Sequence, residues 1–385
     1  MGLSSIIGHK RPIAVLRRAV WEGRVPTAYL FSGPPQVGKL TTAVELAKLL
    51  NCSNPVDADN PARIDCCDTC EACRRIASGS FADVLVVQPV VRVGTGARSE
   101  ATEFEGAMIT TEQIAQVITR ASLGPSRGRR KVLIIARAET MNPEAGSRLL
   151  KTLEEPPGDT TLILTTSNPS ALLPTLVSRC QRLTFHPVPV DELIAGLREK
   201  APQADETLIE TAARLSSGRV GWALALVHSP SALQVRAELM HLLANLPREP
   251  NIACLAIGER LIELAEQWWL ALNPGDEASS VLSRAADRVR RVALCGLLDL
   301  VACALRDVMV LCASAGGTVV NSDVVDMLAA LAAGTTQDRA RRAALAVQHV
   351  QRHVRGNANI RLAAELLVLQ LMQSLRPGRA AAMRE

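Results

Sequence analysis

Three groups of residues in this chain have types and spacings that could do chemistry: a glycine-framed lysine, a run of close cysteines, and an arginine in a Ser-Arg-Cys triplet. The first is Gly33-Pro34-Pro35-Gln36-Val37-Gly38-Lys39-Leu40. It follows the pattern G-x-x-x-x-G-K-[S/T] of a phosphate-binding loop. There, backbone N–H groups and a helix N-terminus cradle phosphates while the lysine neutralises charge. The pattern calls for a hydroxyl after the lysine to coordinate Mg²⁺, and Leu40 stands in its place. The nearest hydroxyl, Thr41, comes one residue late, which on a helix is about 100° of rotation. Hydrolysis also needs an apolar strand ending in Asp-Glu, the first for the metal and the second for the attacking water. The strand expected at Val132–Ile135 continues Ala136-Arg137-Ala138-Glu139. Neither carboxylate is in place, and Glu139 arrives beyond the expected pair as a residue at the start of a helix. The loop keeps the parts that hold phosphate and lacks those that hydrolyse it.

The cysteines Cys67-x-x-Cys70-x-x-Cys73, with Cys52 upstream, suit a closed tetrahedral structural zinc site. Cys66 is the spare, because only Cys67 keeps the two-residue spacing to Cys70. Cys180, Cys254, Cys295, Cys303 and Cys312 are scattered and read as core residues. Arg179, in Ser178-Arg179-Cys180, would pass as a surface charge on physics alone. His349 and His353 lie four apart on an expected helix and could share a metal, but no third ligand accompanies them, so a solvated helix face is expected.

The elements that must position these groups follow from composition and pattern. Of 385 residues, 48% are apolar, yet the aromatics are only four Trp, four Phe and one Tyr. A core of Leu, Ala and Val favours helices around a buried sheet. The net charge of +5 permits nucleic-acid contact without demanding it. The basic run Arg127, Arg129, Arg130, Lys131 reads as a solvated turn. No apolar stretch reaches the roughly 18 residues of a membrane span, and the N-terminus lacks the apolar core of a secretory signal. Met1-Gly2 is not followed by the Ser or Thr of a myristoylation site, since Ile6 stands there. A cytoplasmic protein whose cysteines are thiols or metal ligands is expected.

Residues 1–186 alternate short β-rich runs with helical patterns, as a parallel α/β sheet requires. Strands are expected at Ala28–Ser32, Val84–Val87, Val132–Ile135, Leu162–Thr166 and Arg182–Phe185. Helices are expected at Lys39–Leu50, Thr111–Ser122 and Asn142–Leu153. Asn142 serves the last of these as N-cap, and Glu155-Pro156-Pro157 stops it. His186-Pro187-Val188-Pro189 marks a boundary. Residues 187–235 read as short helices, and 236–385 as Ala/Leu-rich helices broken at Pro247–Pro250, Asn273-Pro274-Gly275 and Gly316-Gly317. The last long helix is expected at Asn359–Leu375.

Several of these stretches together resemble the AAA+ subunits of the bacterial DNA polymerase III clamp loader. They are Ile7-Gly8-His9; AYLFSGPPQVGK at Ala28–Lys39; the Cys52, Cys67, Cys70, Cys73 module; SFADVL at Ser80–Leu85; LLKTLEEPP at Leu149–Pro157; Ser178-Arg179-Cys180; and NANIRLAAELLVLQL at Asn357–Leu371. The resemblance implies an AAA+ module with an inserted zinc module over residues 1–186, a helical lid over 187–235 and an all-α collar over 236–385. It implies membership of a five-membered ring with gamma/tau and delta subunits, acting on the sliding clamp and primed DNA. It also implies that Arg179 reaches a neighbour's ATP as an arginine finger, a device worth about 10³–10⁵ in rate. The gamma/tau motors of this family keep the loop Thr, the Asp-Glu pair and a sensor arginine. Here the positions hold Leu40, Ala136, Arg137 and Gly221, with Arg219 two places early. These departures resemble the stator-like delta-prime branch, and the retained Lys39 leaves ATP binding open. The alternatives are an active gamma/tau-type ATPase using Thr41 and Glu139, and a zinc-containing DNA-binding protein. Against the latter stand the modest charge and the scarcity of aromatics for base stacking.

Overall fold

The structure, a computed structural model, describes residues 2–93, 100–103, 108–154, 158–273, 286–313 and 319–376, with the backbone alone at 90–93, 100–103 and 286. The helix stop expected at Glu155-Pro156-Pro157 and the breaks at Pro274-Gly275 and Gly316-Gly317 lie outside the described residues. The chain divides into two units. One comprises Met1–Arg92, Glu100–Pro202 and Ser216–Ala223; the other comprises Val93–Ser99, Gln203–Leu215 and Leu224–Glu385.

The first unit is built on strands β1 (Ala28–Ser32), β2 (Val84–Val87), β5 (Lys131–Ile135), β6 (Thr160–Thr166) and β7 (Gln181–Thr184), ordered β2-β5-β6-β1-β7 and parallel throughout. Two further strands, β3 (Val90–Val93) and β4 (Glu100–Glu103), pair separately and were not anticipated from sequence. Side chains of a strand alternate between faces, and here each face has its own core. Ala28, Leu30, Leu133, Ile135, Leu162 and Leu164 point to one side, where α4 (Thr111–Ala121) and α5 (Pro143–Glu154) pack. Tyr29, Phe31, Val132, Ile134, Ile163 and Leu183 point to the other, covered by α1 (Lys10–Trp21), α2 (Lys39–Asn51) and α3 (Glu71–Ala77). This is a parallel sheet covered by helices on both faces, as the sequence pattern led one to expect. Because β1 lies between β6 and β7, the order of connection reverses beside it, the place where an open parallel sheet offers a ligand crevice at its carboxyl ends.

Local chemistry accounts for the helix starts. Thr110 and Gln113 form a reciprocal capping box on α4. Asn142 Oδ1 accepts from Ala145 N at 2.7 Å, with Pro143 as the first residue of α5.

The basic run 127–131 departs from the solvated turn expected of it. Lys131 is buried, and its ammonium donates to the carbonyls of Arg120, Leu123 and Gly124, capping the C-terminal end of α4. Arg130 donates to Thr161 Oγ1 at 2.7 Å and to the Val25 carbonyl. The turn itself is held by buried Asp83, which accepts from the amides of Ser126, Arg127 and Gly128 at 2.7–2.8 Å. Burial opposes the charge on Asp83, yet these bonds hold its carboxyl below the usual range.

The second unit is helical: α8 (Glu206–Leu215), α10 (Pro230–Asn245), α11 (Cys254–Leu272), α12 (Ala286–Cys312), α13 (Val325–Ala333), α14 (Gln337–Arg355) and α15 (Ile360–Leu375). The long α12 packs on α11, α13 and α14. Its fully buried Asp307 accepts from the backbone of Val320 and Asn321, while buried Arg236 of α10 pairs with Asp323 and donates to Asn321. The N-cap of α15 is Asn359, accepting from Leu362 N at 3.1 Å. Helices α6 (Pro174–Ser178) and α7 (Val190–Lys200) belong to the first unit, and α9 is Val220–Val227. Among the described residues no helix is long and apolar enough to cross a membrane.

Replacing Asp83 with Asn puts an amide donor against backbone donors and should cost about 1–3 kcal/mol at neutral pH. A carboxylate whose folded pKa is depressed contributes stability above its unfolded value, near 4, and loses it as pH falls through the lower folded value. Urea midpoints at pH 7 and pH 3 should therefore show the gap between wild type and Asp83→Asn closing at pH 3. Equal gaps would contradict this account.

Candidate nucleotide and metal sites

Strand β1 leads straight into the loop. At Gly33, with φ of 154°, a Cβ would collide with the carbonyl oxygen of Phe185, so no side chain fits this turn. Gly38, with φ of 106°, caps α2 and starts the helix whose amides face the loop. Lys39 is buried and folds back, donating to the carbonyls of Gly33 at 2.6 Å and Pro34 at 2.5 Å. Burial pushes the Lys39 amine down to about 8, with the charge of Glu139 opposing. Leu40 packs into the core below the loop. Thr41 is exposed, and buried Thr42 turns its hydroxyl back to the Gly38 carbonyl at 2.8 Å.

Two contacts on this loop have no signal in the local sequence. His9 Nε2 donates to the Val37 carbonyl at 2.7 Å while its ring meets Phe185 edge-on at 4.9 Å; burial holds the imidazole below its ordinary pKa. The amide of Gly221, at the start of α9, donates to the Gln36 carbonyl at 2.8 Å. A Cβ at Gly221 would lie 3.3 Å from Gln36, so backbone approaches backbone where a sensor side chain was sought. Arg219 instead lies over the Trp222 ring at 4.8 Å and donates to Ser216 O.

Past β5, Ala136 is buried and Arg137 takes a left-handed conformation, its amide donating to Thr165 Oγ1 at 3.1 Å. Glu139 sits in a short 3-10 turn. Its Oε1 accepts from the amide and hydroxyl of Ser167 at 3.1 and 2.6 Å, and its Oε2 is buried without a hydrogen bond.

The four sulfurs of Cys52, Cys67, Cys70 and Cys73 lie within 4.8 Å of one another. A zinc–sulfur distance of about 2.3 Å places tetrahedral sulfurs about 3.8 Å apart, so one ion fits among them. Cys52 ends α2, and Cys70 is the N-cap of α3. Amides already point at the sulfurs: Cys67 N at Cys52, Cys70 N at Cys67 and Cys73 N at Cys70, at 3.3–3.5 Å. Hydrogen bonds from Thr69 and Cys70 bring the Cys67 thiol down to about 6, whereas burial raises Cys52 and Cys73. A cation supplies the charge that would hold all four as thiolates. Spare Cys66 is buried instead beside Glu45 and Asp68, whose carboxylates share the Lys48 ammonium at 2.8 and 2.9 Å. Of the scattered cysteines, Cys295 is buried and Cys180, Cys254, Cys303 and Cys312 are half-buried.

Arg179 caps the C-terminal end of α6. Its Nη1 donates to the Thr175 carbonyl at 3.0 Å, and its Nη2 lies 2.6 Å from Glu154 Oε1. His349 and His353 are exposed beside a shallow cavity of about 350 Å³ between α14 and α15, and no third metal ligand joins them among the described residues.

Residues 8–189 match the family "DNA polymerase III, delta subunit". The chain is 31% identical over 242 residues to the DNA polymerase III delta' subunit of Pseudomonas aeruginosa, covering 63% of this chain and 65% of that protein. To the delta' subunit of Bacillus subtilis it is 34% identical over 178 residues, covering 46% and 47%. To the tau subunit of B. subtilis it is 31% identical over 206 residues, covering 53% and 32%. It thus spans less than two thirds of each of these relatives, and matches the two kinds of subunit about equally well.

Gly33→Ala should destabilise the first unit by about 2 kcal/mol or more through strain and overpacking, whereas Gly124→Ala, with open space around it, should be near neutral. Thermal unfolding of both variants checks this. A Gly33→Ala variant as stable as wild type would mean the turn has more room than its geometry allows.

Proposed function

We propose that the chain, whose residues 8–189 match the family "DNA polymerase III, delta subunit", is a clamp-loader subunit of DNA polymerase III of the delta-prime kind. In this reading it joins gamma/tau and delta subunits in a pentameric ring that loads the sliding clamp onto primed DNA. Its own phosphate loop turns over little or no ATP, and Arg179 completes the site of a neighbour. Residues 1–186, 187–235 and 236–385 would act as motor-like module, lid and collar.

The observation that carries this reading is the state of the phosphate site. Leu40 packs half-buried against the core, Thr41 faces solvent, and Ala136 and Arg137 follow β5. Metal and attacking water would each lack a partner. Gly33, Gly38 and Lys39 retain the form of a nucleotide cradle, with an ammonium that a phosphate could draw from the loop carbonyls. The competing reading, an active gamma/tau-type ATPase, draws support from Glu139, whose second oxygen is buried and unbonded within electrostatic range of Lys39.

For Arg179 the relevant property is an exposed guanidinium at a helix end, with N–H donors beyond the two that Thr175 and Glu154 take. Such a group stabilises charge that develops on a transferring phosphoryl group. The four-cysteine cluster is read as a structural zinc site, held by Cys52, Cys67, Cys70 and Cys73. Its ion would tie the end of α2 to α3 and perform no reaction.

Reconstituting the loader with Arg179→Ala should leave assembly intact and sharply lower ATPase stimulated by DNA and clamp. The isolated wild-type chain should show no ATP turnover. Undiminished activity in the complex would sink the finger role, and turnover by the isolated chain would favour the gamma/tau-type reading. Metal analysis should find one zinc per chain, and chelation or Cys52→Ser should lower the melting temperature. A zinc-free preparation of equal stability would refute the metal assignment.

A further inference from the structure

We propose that Glu154 is a positioning residue for Arg179, an inference that rests on reading Arg179 as a finger offered to a neighbouring subunit. Glu154 is the last residue of α5, and Arg179 follows the last residue of α6. The two helices are packed rather than merely adjacent. Gly146 of α5 faces Leu173 and Leu176, where a Cβ would make ordinary contacts at 3.5 and 3.7 Å. The carboxylate and the arginine, 25 positions apart in the chain, are therefore carried by two helices packed on each other.

The guanidinium is held at both terminal nitrogens. Glu154 Oε1 takes Nη2 at 2.6 Å, and the Thr175 carbonyl takes Nη1 at 3.0 Å. Two directions in the plane of a fork are enough to fix that plane. Of the five N–H donors of an arginine, two are used and three remain for an incoming oxyanion. A long side chain at an exposed position would otherwise sample several rotamers, and a finger gains rate only when its donors already point where charge develops. Glu154 thus acts through orientation. The opposite effect is also conceivable on electrostatic grounds: a neighbouring carboxylate cancels part of the positive charge, so removing it would strengthen the finger. The two accounts differ in the sign of the mutational effect, and the geometry points to orientation because both contacts restrain one plane.

The test uses the complete reconstituted loader carrying Glu154→Ala, Glu154→Gln, Arg179→Ala or the Glu154→Ala/Arg179→Ala pair, with assembly followed by gel filtration. Glu154→Ala should lower kcat about three- to fivefold with KM for ATP unchanged, the factor that an exposed charge-assisted pair can carry. Glu154→Gln, which keeps the size and an acceptor, should fall between it and wild type. The double variant should be no slower than Arg179→Ala alone. A Glu154→Ala loader as fast as wild type or faster, alongside a slow Arg179→Ala loader, would overturn the positioning role while leaving the finger intact. So would a double variant slower than Arg179→Ala, since Glu154 would then act through something else. If Arg179→Ala itself had no effect, the finger reading would fail first and this inference with it.

Discussion

The absence of room for any side chain at Gly33 is the constraint on which the phosphate loop depends. The backbone there is gripped from both sides: Gly33 N donates to Thr166 O of β6 at 3.1 Å, and Phe185 N donates back to Ser32 O at 2.7 Å. The loop thus leaves the sheet at one angle, and α2 starts where that angle delivers it. This grip is independent of any metal. Leu40 can replace a hydroxyl and gain burial among Phe31, Ala43 and their neighbours without disturbing the turn. The turn and the metal ligand are separable, and this chain keeps the first with Leu40 where the hydroxyl would stand.

How much of this could be read from sequence depended on whether the cause was local. Strands β1 and β2 fall at the residues expected, and β5, β6 and β7 within two, because continuous apolar runs bounded by turns mark a buried parallel sheet. Asn142 and Pro143 announce α5 by chemistry within one turn. The Cys67, Cys70 and Cys73 spacing shows in a single line of letters, and Cys52 joins them through α2. By contrast, Gly221 meets Gln36 across 185 positions, and His9 reaches Val37 only because α1 and the loop meet beside Phe185. No pattern of period two or three encodes such meetings. Lys131 departs from the solvated turn expected of a charge beside other charges because its four-carbon stem lets the ammonium reach the carbonyls of Arg120, Leu123 and Gly124 around the end of α4.

Helix α2 joins the two candidate sites. It begins on Gly38 at the phosphate loop and runs thirteen residues to Cys52, about 20 Å of continuous hydrogen-bonded rod. Lys48 on this helix takes the carboxylates of Glu45 and Asp68, binding the rod to the turn between Cys67 and Cys70. Asp65, three residues before Asp68, accepts from Leu3, Ser4 and Arg17 and fastens residues near the start of the chain to the same module. The cysteine module is therefore braced by a buried polar network as well as by its own sulfurs. Removing one member of such a network costs more than its pairwise bond, since the others stay buried without a partner.

The basic run beside Asp83 bears on how a polyanion would meet this surface. Four cations in five residues suggest a concentrated positive field. Lys131 directs its ammonium inside to three carbonyls, and Arg130 points its guanidinium at Thr161 and Val25. Arg127 and Arg129 remain at the surface, on a turn pinned by a carboxylate of opposite sign. The partners of Lys131 and Arg130 are neutral oxygens, which leave both charges in place, so the turn stays net positive even beside Asp83 and its field reaches about 8 Å at physiological salt. A polyanion would thus feel the whole run at a distance but could touch only Arg127 and Arg129, so attraction and contact here fall to different residues.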